Sequence, residues 1–130
     1  MDDIDQRSEP TGDQLLAVAR KHCAELCGGE GEFPFGPNAE VYKVGGKIFA
    51  LFMGLDSRTA RLNVKLPPDE GAELRASFPD SVTPGYHMNK LHWNTILLAG
   101  EPARSELTEL LDISYGLVRS SLPRRVRDRL

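Results

Sequence analysis

The chain is poor in the residues that announce a particular chemistry. Only two of its 130 residues are cysteine. That is too few for a disulfide framework, so a reducing cytoplasm is the expected compartment. There is a single tryptophan, and aromatic residues make up 7% of the chain. No apolar run approaches the roughly 20 residues that a membrane-crossing helix needs, so no membrane partner is expected. The opening "MDDIDQRSEPTGDQ" has no hydrophobic signal region, which makes secretion an unfavoured expectation. An overall excess of positive charge is also missing, because the formal net charge is −3. That excludes a domain-wide basic field, the usual footprint of a nucleic-acid binder.

What charge there is lies unevenly. Residues 1–13 hold five acids against Arg7, and residues 119–130 hold five arginines against Asp128. Between them, residues 39–95 are close to balanced, with seven basic and six acidic side chains. Polyanion binding would therefore need a local patch or the basic end. The apolar share of 40% and the charged share of 27% are those of an ordinary globular domain with one core. Residues 1–10 read as a disordered acidic leader. Residues 11–122 read as a single domain and 123–130 as a basic C-terminal tail.

Thr11 and Gln14 have the spacing of a capping box. Leu15, Ala19, Cys23 and Leu26 follow on one helical face, and Gly28-Gly29 stops the run. A helix is expected over 12–27. "GEGEFPFGPNAE" is a loop, with Phe33 and Phe35 expected to tuck back onto the domain. In "EVYKVGGKIFALFM", two β-rich runs flank Gly45-Gly46, the signature of a hairpin with a primed turn. "TARLNVKL" alternates Ala60, Leu62, Val64 and Leu66 with Arg61, Asn63 and Lys65, one dry face and one solvated face. "PPDEGAELRASFPD" is a short helix with proline and acids in its first turn. "SVTPGYHM" is a short strand or turn, and "HWNTILL" a strand. A last helix over 103–122 has the face Leu107, Leu110, Leu111, Ser114, Leu117, Val118, Ser121 and Leu122. This order implies an α+β two-layer sandwich: a twisted antiparallel sheet with the terminal helices packed on one face.

Three chemistries compete for the polar residues. Cys23, Cys27, His87 and His92 could in principle ligate zinc, but the cysteines lack knuckle spacing and lie on or near an apolar helix face. Packing as small hydrophobes is the favoured reading. A cysteine nucleophile would stand at a helix C-terminus, whose partial negative charge opposes thiolate formation. No serine elbow, carboxylate pair or phosphate loop is present. The expectation is therefore no enzyme, no metal and no cofactor. Binding remains. Lys43, Lys47, Arg61, Lys65 and Lys90 can neutralise phosphates, His87, Asn89, His92 and Asn94 can hydrogen-bond backbone or base edges, and Trp93 can stack. The bland alternative is that the strand face is merely solvated, that Trp93 belongs to the core, and that the asparagines and histidines bond local backbone in a tight turn. A further alternative is a protein-interaction or small-ligand module built on the Tyr86–Asn94 segment.

"PGYHMNKLHWNTI" together with "VYKVGGKIFAL" resembles the MmcQ/YjbR-like family of small bacterial proteins. The likeness runs through "EFPFGPNAEVYKVGGKIFAL" and "RLNVKLPPDEGAEL" to the closing "LLDISYGLV". It implies a fold similar to the bacterial frataxin CyaY. It also implies binding to double-stranded DNA through a double wing, formed here by the Lys43–Lys47 hairpin and the His87–Asn94 segment. Frataxin-like iron binding does not carry over, because the first helix, "DQLLAVARKHCAELC", has no acidic ridge. The resemblance supplies no enzymatic activity.

Overall fold

The computed structural model describes residues 9–56, 59–85 and 88–130. The leader up to Ser8, and Tyr86 and His87 of the polar segment, lie outside the described residues.

Helix α1 spans Gly12–Cys27, and its N-terminus is closed by the expected capping box. The Gln14 amide N–H donates to Thr11 Oγ1 at 3.2 Å, while Thr11 N–H donates to Gln14 Oε1 at 2.8 Å. Gly28 ends the helix in the left-handed conformation at φ 65°, where a side chain would be strained. Strands β1 (Glu40–Val44) and β2 (Lys47–Met53) form the hairpin. Gly45 and Gly46 both take positive φ in its turn, 57° and 85°, as a primed turn demands. Strand β3 covers Arg61–Lys65, helix α2 Pro68–Ser77, strand β4 Val82–Pro84 and strand β5 Trp93–Leu97. Helix α3 runs over Ala103–Ser120, and a single helical turn, α4, over Arg124–Arg127.

The five strands make one antiparallel sheet in the order β1-β2-β3-β5-β4. Side chains alternate across a sheet, so register assigns them to faces. Phe52, Leu62, Ile96 and Val82 fall in one row, and Ala50, Val64 and Asn94 in the next. Their face is covered by helices. Helix α1 lies against β1 and helix α3 against β2 and β3. Helix α2 flanks β4, with Gly71 against the Asn94 side chain. The core between the layers is closed by Leu15, Ala19, Leu107, Leu111 and Val118 from the helices. The expected α+β two-layer architecture is the observed one, and the inserted helix joins the two terminal ones.

A β-bulge between β1 and β2 at Tyr42/Lys43 interrupts the alternation, so that Phe49 and Ala50 are buried in succession. Phe49 meets Tyr115 of α3 edge to face at a centroid distance of 5.1 Å. Ser114, the polar residue within the apolar stripe of α3, serves backbone there. Its hydroxyl donates to the Phe49 carbonyl at 2.6 Å and accepts from the Lys65 N–H at 2.8 Å. Both edges of the sheet are blunted. Glu32 pairs with Val41 outside β1 through backbone bonds of 2.8 and 2.9 Å, and β4 is short and ends in proline.

Two expectations are corrected. Phe33 and Phe35 do not tuck back, since they stand 44% and 69% exposed. Asn63 is not solvated with the rest of its strand face. It is fully buried, its Nδ2 donating to the Leu51 carbonyl at 3.4 Å and its Oδ1 accepting from the Thr95 hydroxyl at 2.6 Å. No helix among the described residues is long and apolar enough to cross a membrane.

Candidate nucleic-acid interface

The hairpin turn, the C-terminus of β3 and the start of β5 lie at the same end of the sheet, because β2 opposes β3 and β3 opposes β5. That end gathers Lys43, Lys47 and Lys65, with Trp93 directly across from Lys65 in the register. Helix α3 arrives there too. A Cβ placed on Gly45 would lie 2.5 Å from Leu122 Cδ1 and 3.0 Å from Val126 Cγ1, so the segment after α3 is folded against the hairpin tip. Leu122 and Val126 bracket Pro123 and anchor α4, bringing Arg124, Arg125, Arg127 and Arg129 to the hairpin end. Four of the lysines proposed from sequence and these four arginines thus converge, counting Lys90 of the adjoining loop.

Few of these charges are neutralised. Lys43 Nζ pairs with Glu32 at 3.2 Å, and Arg124 Nε with Asp128 at 3.7 Å. The side chains of Lys47, Lys65, Arg125, Arg127 and Arg129 form no ion pair among the described residues. The Arg127 Nε is buried with no hydrogen-bond partner among them.

The described part of the polar segment, 88–94, is organised by its own backbone. Asn89 Oδ1 accepts from the Leu91 N–H at 2.9 Å, a side-chain-closed turn, and its carbonyl accepts from the Trp93 N–H at 2.9 Å. Lys90 Nζ donates to the Gly85 carbonyl at 3.2 Å, which leaves its charge on the surface. The His92 carbonyl accepts from the Leu66 N–H at 2.8 Å, tying the segment to the end of β3. Trp93 is half-buried, and Gly85 packs so closely on it that a Cβ would come 2.7 Å from Trp93 Cβ.

Two candidates do not join this end. Asn94 is fully buried on the helix-covered face. Its Oδ1 accepts from Arg75 of α2, and its Nδ2 donates to the His92 carbonyl at 3.3 Å. A side chain on Gly71 would collide with this amide, at 2.9 Å from Nδ2. Asn94 therefore positions α2 and the polar segment rather than offering a contact to an outside partner. Arg61 is exposed at the other end of β3, across from Met53 and Leu97. The sequence reading named the basic end as one place for polyanion binding but set residues 123–130 apart as a tail, without seeing that Leu122 and Val126 fold it against the hairpin. The signal was there in the four-residue spacing of Leu122 and Val126 across Pro123.

The titratable groups with shifted behaviour lie elsewhere, between α1 and β1. Arg20 forks onto the buried Glu40, Nε to Oε1 at 2.7 Å and NH2 to Oε2 at 3.0 Å. These bonds hold the guanidinium's pKa above its ordinary value. Burial, then the Glu40 charge, raises the Tyr42 hydroxyl. Burial, with Cys27 and Glu40 adding, pushes the Cys23 thiol far above the usual range. Cys23 is a wholly buried member of the core, and Cys27 packs against it. No group of three or more His, Cys, Asp or Glu among the described residues could hold a metal ion.

The YjbR family model matches residues 24–117. The chain belongs to the YjbR family. It is 37% identical over 106 residues to the uncharacterised protein YbdF of Escherichia coli O157:H7, covering 82% of this chain and 81% of that one. It is 34% identical over 89 residues to the uncharacterised protein YjbR of Escherichia coli K12, covering 68% and 74%. Among solved structures, Deinococcus radiodurans protein DR2400 superposes with a TM-score of 0.78 at 38% identity, over 92% of this chain and 86% of that one. A Pseudomonas syringae protein shares the fold at a TM-score of 0.63 and 24% identity, over 76% and 94%.

Proposed function

We propose that this YjbR-family protein is a non-catalytic binder of double-stranded DNA that holds the phosphate backbone with the hairpin end of its sheet. The observation that supports this most is the gathering of cations, most of them without an ion pair among the described residues, at that end of a chain whose net charge is −3. Lys47 and Lys65 project from adjoining strands, Lys90 from the neighbouring loop, and the arm from Arg124 onward stands against the hairpin tip. Cations on two or more rigid elements suit phosphates spaced along a duplex, and such contacts fix register without reading sequence. Lys43, partly neutralised by Glu32, is a weaker contributor. Asn89 and His92 shape the second wing through their bonds to Leu91, Trp93 and Leu66, and Trp93 lies across from Lys65 in the register. The first wing is the hairpin, which the arginine arm braces from one side.

About five phosphate contacts predict that the logarithm of affinity falls with the logarithm of salt at a slope of about −4 to −5. Fluorescence anisotropy with a labelled 20-mer duplex across a potassium chloride series measures it. Lys47→Gln combined with Lys65→Gln should flatten the slope by about 2, and Arg61→Gln should leave it unchanged. Salt-independent affinity, or no binding at low salt, contradicts the reading.

A further inference from the structure

The open face of the sheet has a second feature, at the end away from the hairpin. A trough of about 410 Å³ is lined by Met53, Arg61, Thr83, Pro84 and Thr95, which come from β2, β3, β4 and β5. It continues past Arg61 toward Asp80, Ser81 and Leu97. Register explains its make-up. Asn63, Thr95 and Thr83 form one polar row across three strands, and Met53, Arg61 and Leu97 form the next. Asn63 is the buried base of the polar row, and its Oδ1 fixes the Thr95 hydroxyl at 2.6 Å. Thr83 at the other end of the row is exposed. Arg61 makes no ion pair among the described residues.

A guanidinium with no ion pair among the described residues, set beside the Thr83 and Thr95 hydroxyls and bordered by a thioether and a proline ring, is a recognition set for a charged head on a short apolar body. The volume lies within the range of small-molecule sites, about 300–1,000 Å³. Such a polar row also has a cost to the fold, since buried polar atoms must all be bonded while apolar side chains there need not be. We infer that this trough binds a small amphipathic oxyanion, an organic carboxylate or a monophosphate ester, with Arg61 as its charged anchor and Thr83 as a hydroxyl donor. The site is separate from the DNA surface proposed above, and either can fail without the other.

Amide chemical shifts of the full-length protein, titrated with hexanoate, hexyl phosphate, inorganic phosphate and the neutral hexanamide, test this. Saturable shifts confined to the neighbourhood of Arg61, Thr83, Thr95 and Leu97 are expected with hexanoate or hexyl phosphate. Whichever of the two binds names the head group, and both binding supports a general oxyanion site. Hexanamide should bind at least about tenfold more weakly, as should every anion to Arg61→Gln, with the melting temperature of that variant unchanged because Arg61 is exposed. Four results would each overturn the inference: no saturable shift with either amphiphile, equal binding of the amide, inorganic phosphate matching hexyl phosphate, or full binding by Arg61→Gln.

Discussion

At the scale of single residues, one constraint outside the apolar core is Glu40, a carboxylate buried where β1 meets α1. Arg20 supplies both of its hydrogen bonds while remaining partly exposed itself. Removing the guanidinium leaves a buried carboxylate without the side chain that supplies both of its hydrogen bonds. Arg20→Ala should therefore lower the unfolding free energy by about 3 kcal/mol, the low end for breaking a buried pair. Urea denaturation at constant m measures it, and a loss under about 0.5 kcal/mol would mean that the carboxylate is solvated. The neighbouring Cys23 and Tyr42 set the alkaline behaviour. Both hold their protons more tightly in the fold than in the unfolded chain, chiefly through burial. Below the ordinary thiol value of about 8.5 both states are protonated, and neither group makes stability depend on pH. Above it the unfolded chain loses protons that the folded one keeps, so their contribution declines as pH rises. Melting temperature should fall between about pH 8.5 and 11, with a smaller fall in Cys23→Ala than in the parent. An unchanged pH dependence in that variant would remove the thiol from the account.

At the scale of elements, the helices and strands were legible where periodicity and punctuation agreed. Thr11, Gln14 and Gly28 bound α1, Gly45-Gly46 turns the hairpin, and the apolar stripe of α3 reaches Val118, two residues short of the helix end at Ser120. What sequence pattern missed has physical causes. Ser114 interrupts that stripe because the bulge leaves the Phe49 carbonyl and the Lys65 N–H facing the helix. Each would cost about 1–3 kcal/mol if left unbonded, and a bulge has no clear mark in one sequence. Asn63 alternates as a solvated residue would, yet the carbonyl of Leu51 and the hydroxyl of Thr95 satisfy it below the surface. Local alternation reports the face and not its depth. Phe33 and Phe35 read as core from their type alone. They stand exposed in a loop whose bonds to the edge of β1 are made by the Glu32 backbone, with Phe33 in a turn of its own. The same limit applies to the candidate site. The types in "YHMNKLHWN" suggested one surface, but strand parity turns Asn94 inward to Arg75, and strand direction carries Arg61 to the far end.

At the scale of the whole molecule, helices cover one side of the sheet, basic side chains gather at its hairpin end, and the trough lies on the open side toward the other end. Topology makes this possible. Hairpin, β3 terminus and β5 start coincide in space, and α3 is long enough to deliver the C-terminal arginines to the same end. An acidic chain thereby brings its C-terminal arginines together with lysines from the hairpin, β3 and the polar segment, a grouping that charge along the sequence shows only for the arginines. The central claim is that DNA meets the hairpin pole. Mapping amide shift changes on adding a short duplex at low salt tests it most directly. The account predicts changes at Gly45, Gly46, Lys47, Lys65, Lys90 and Arg124 through Arg129, with Thr83 and Leu97 unmoved. Changes centred on the Arg61 end or on the helical layer, or none at saturating duplex, would contradict it.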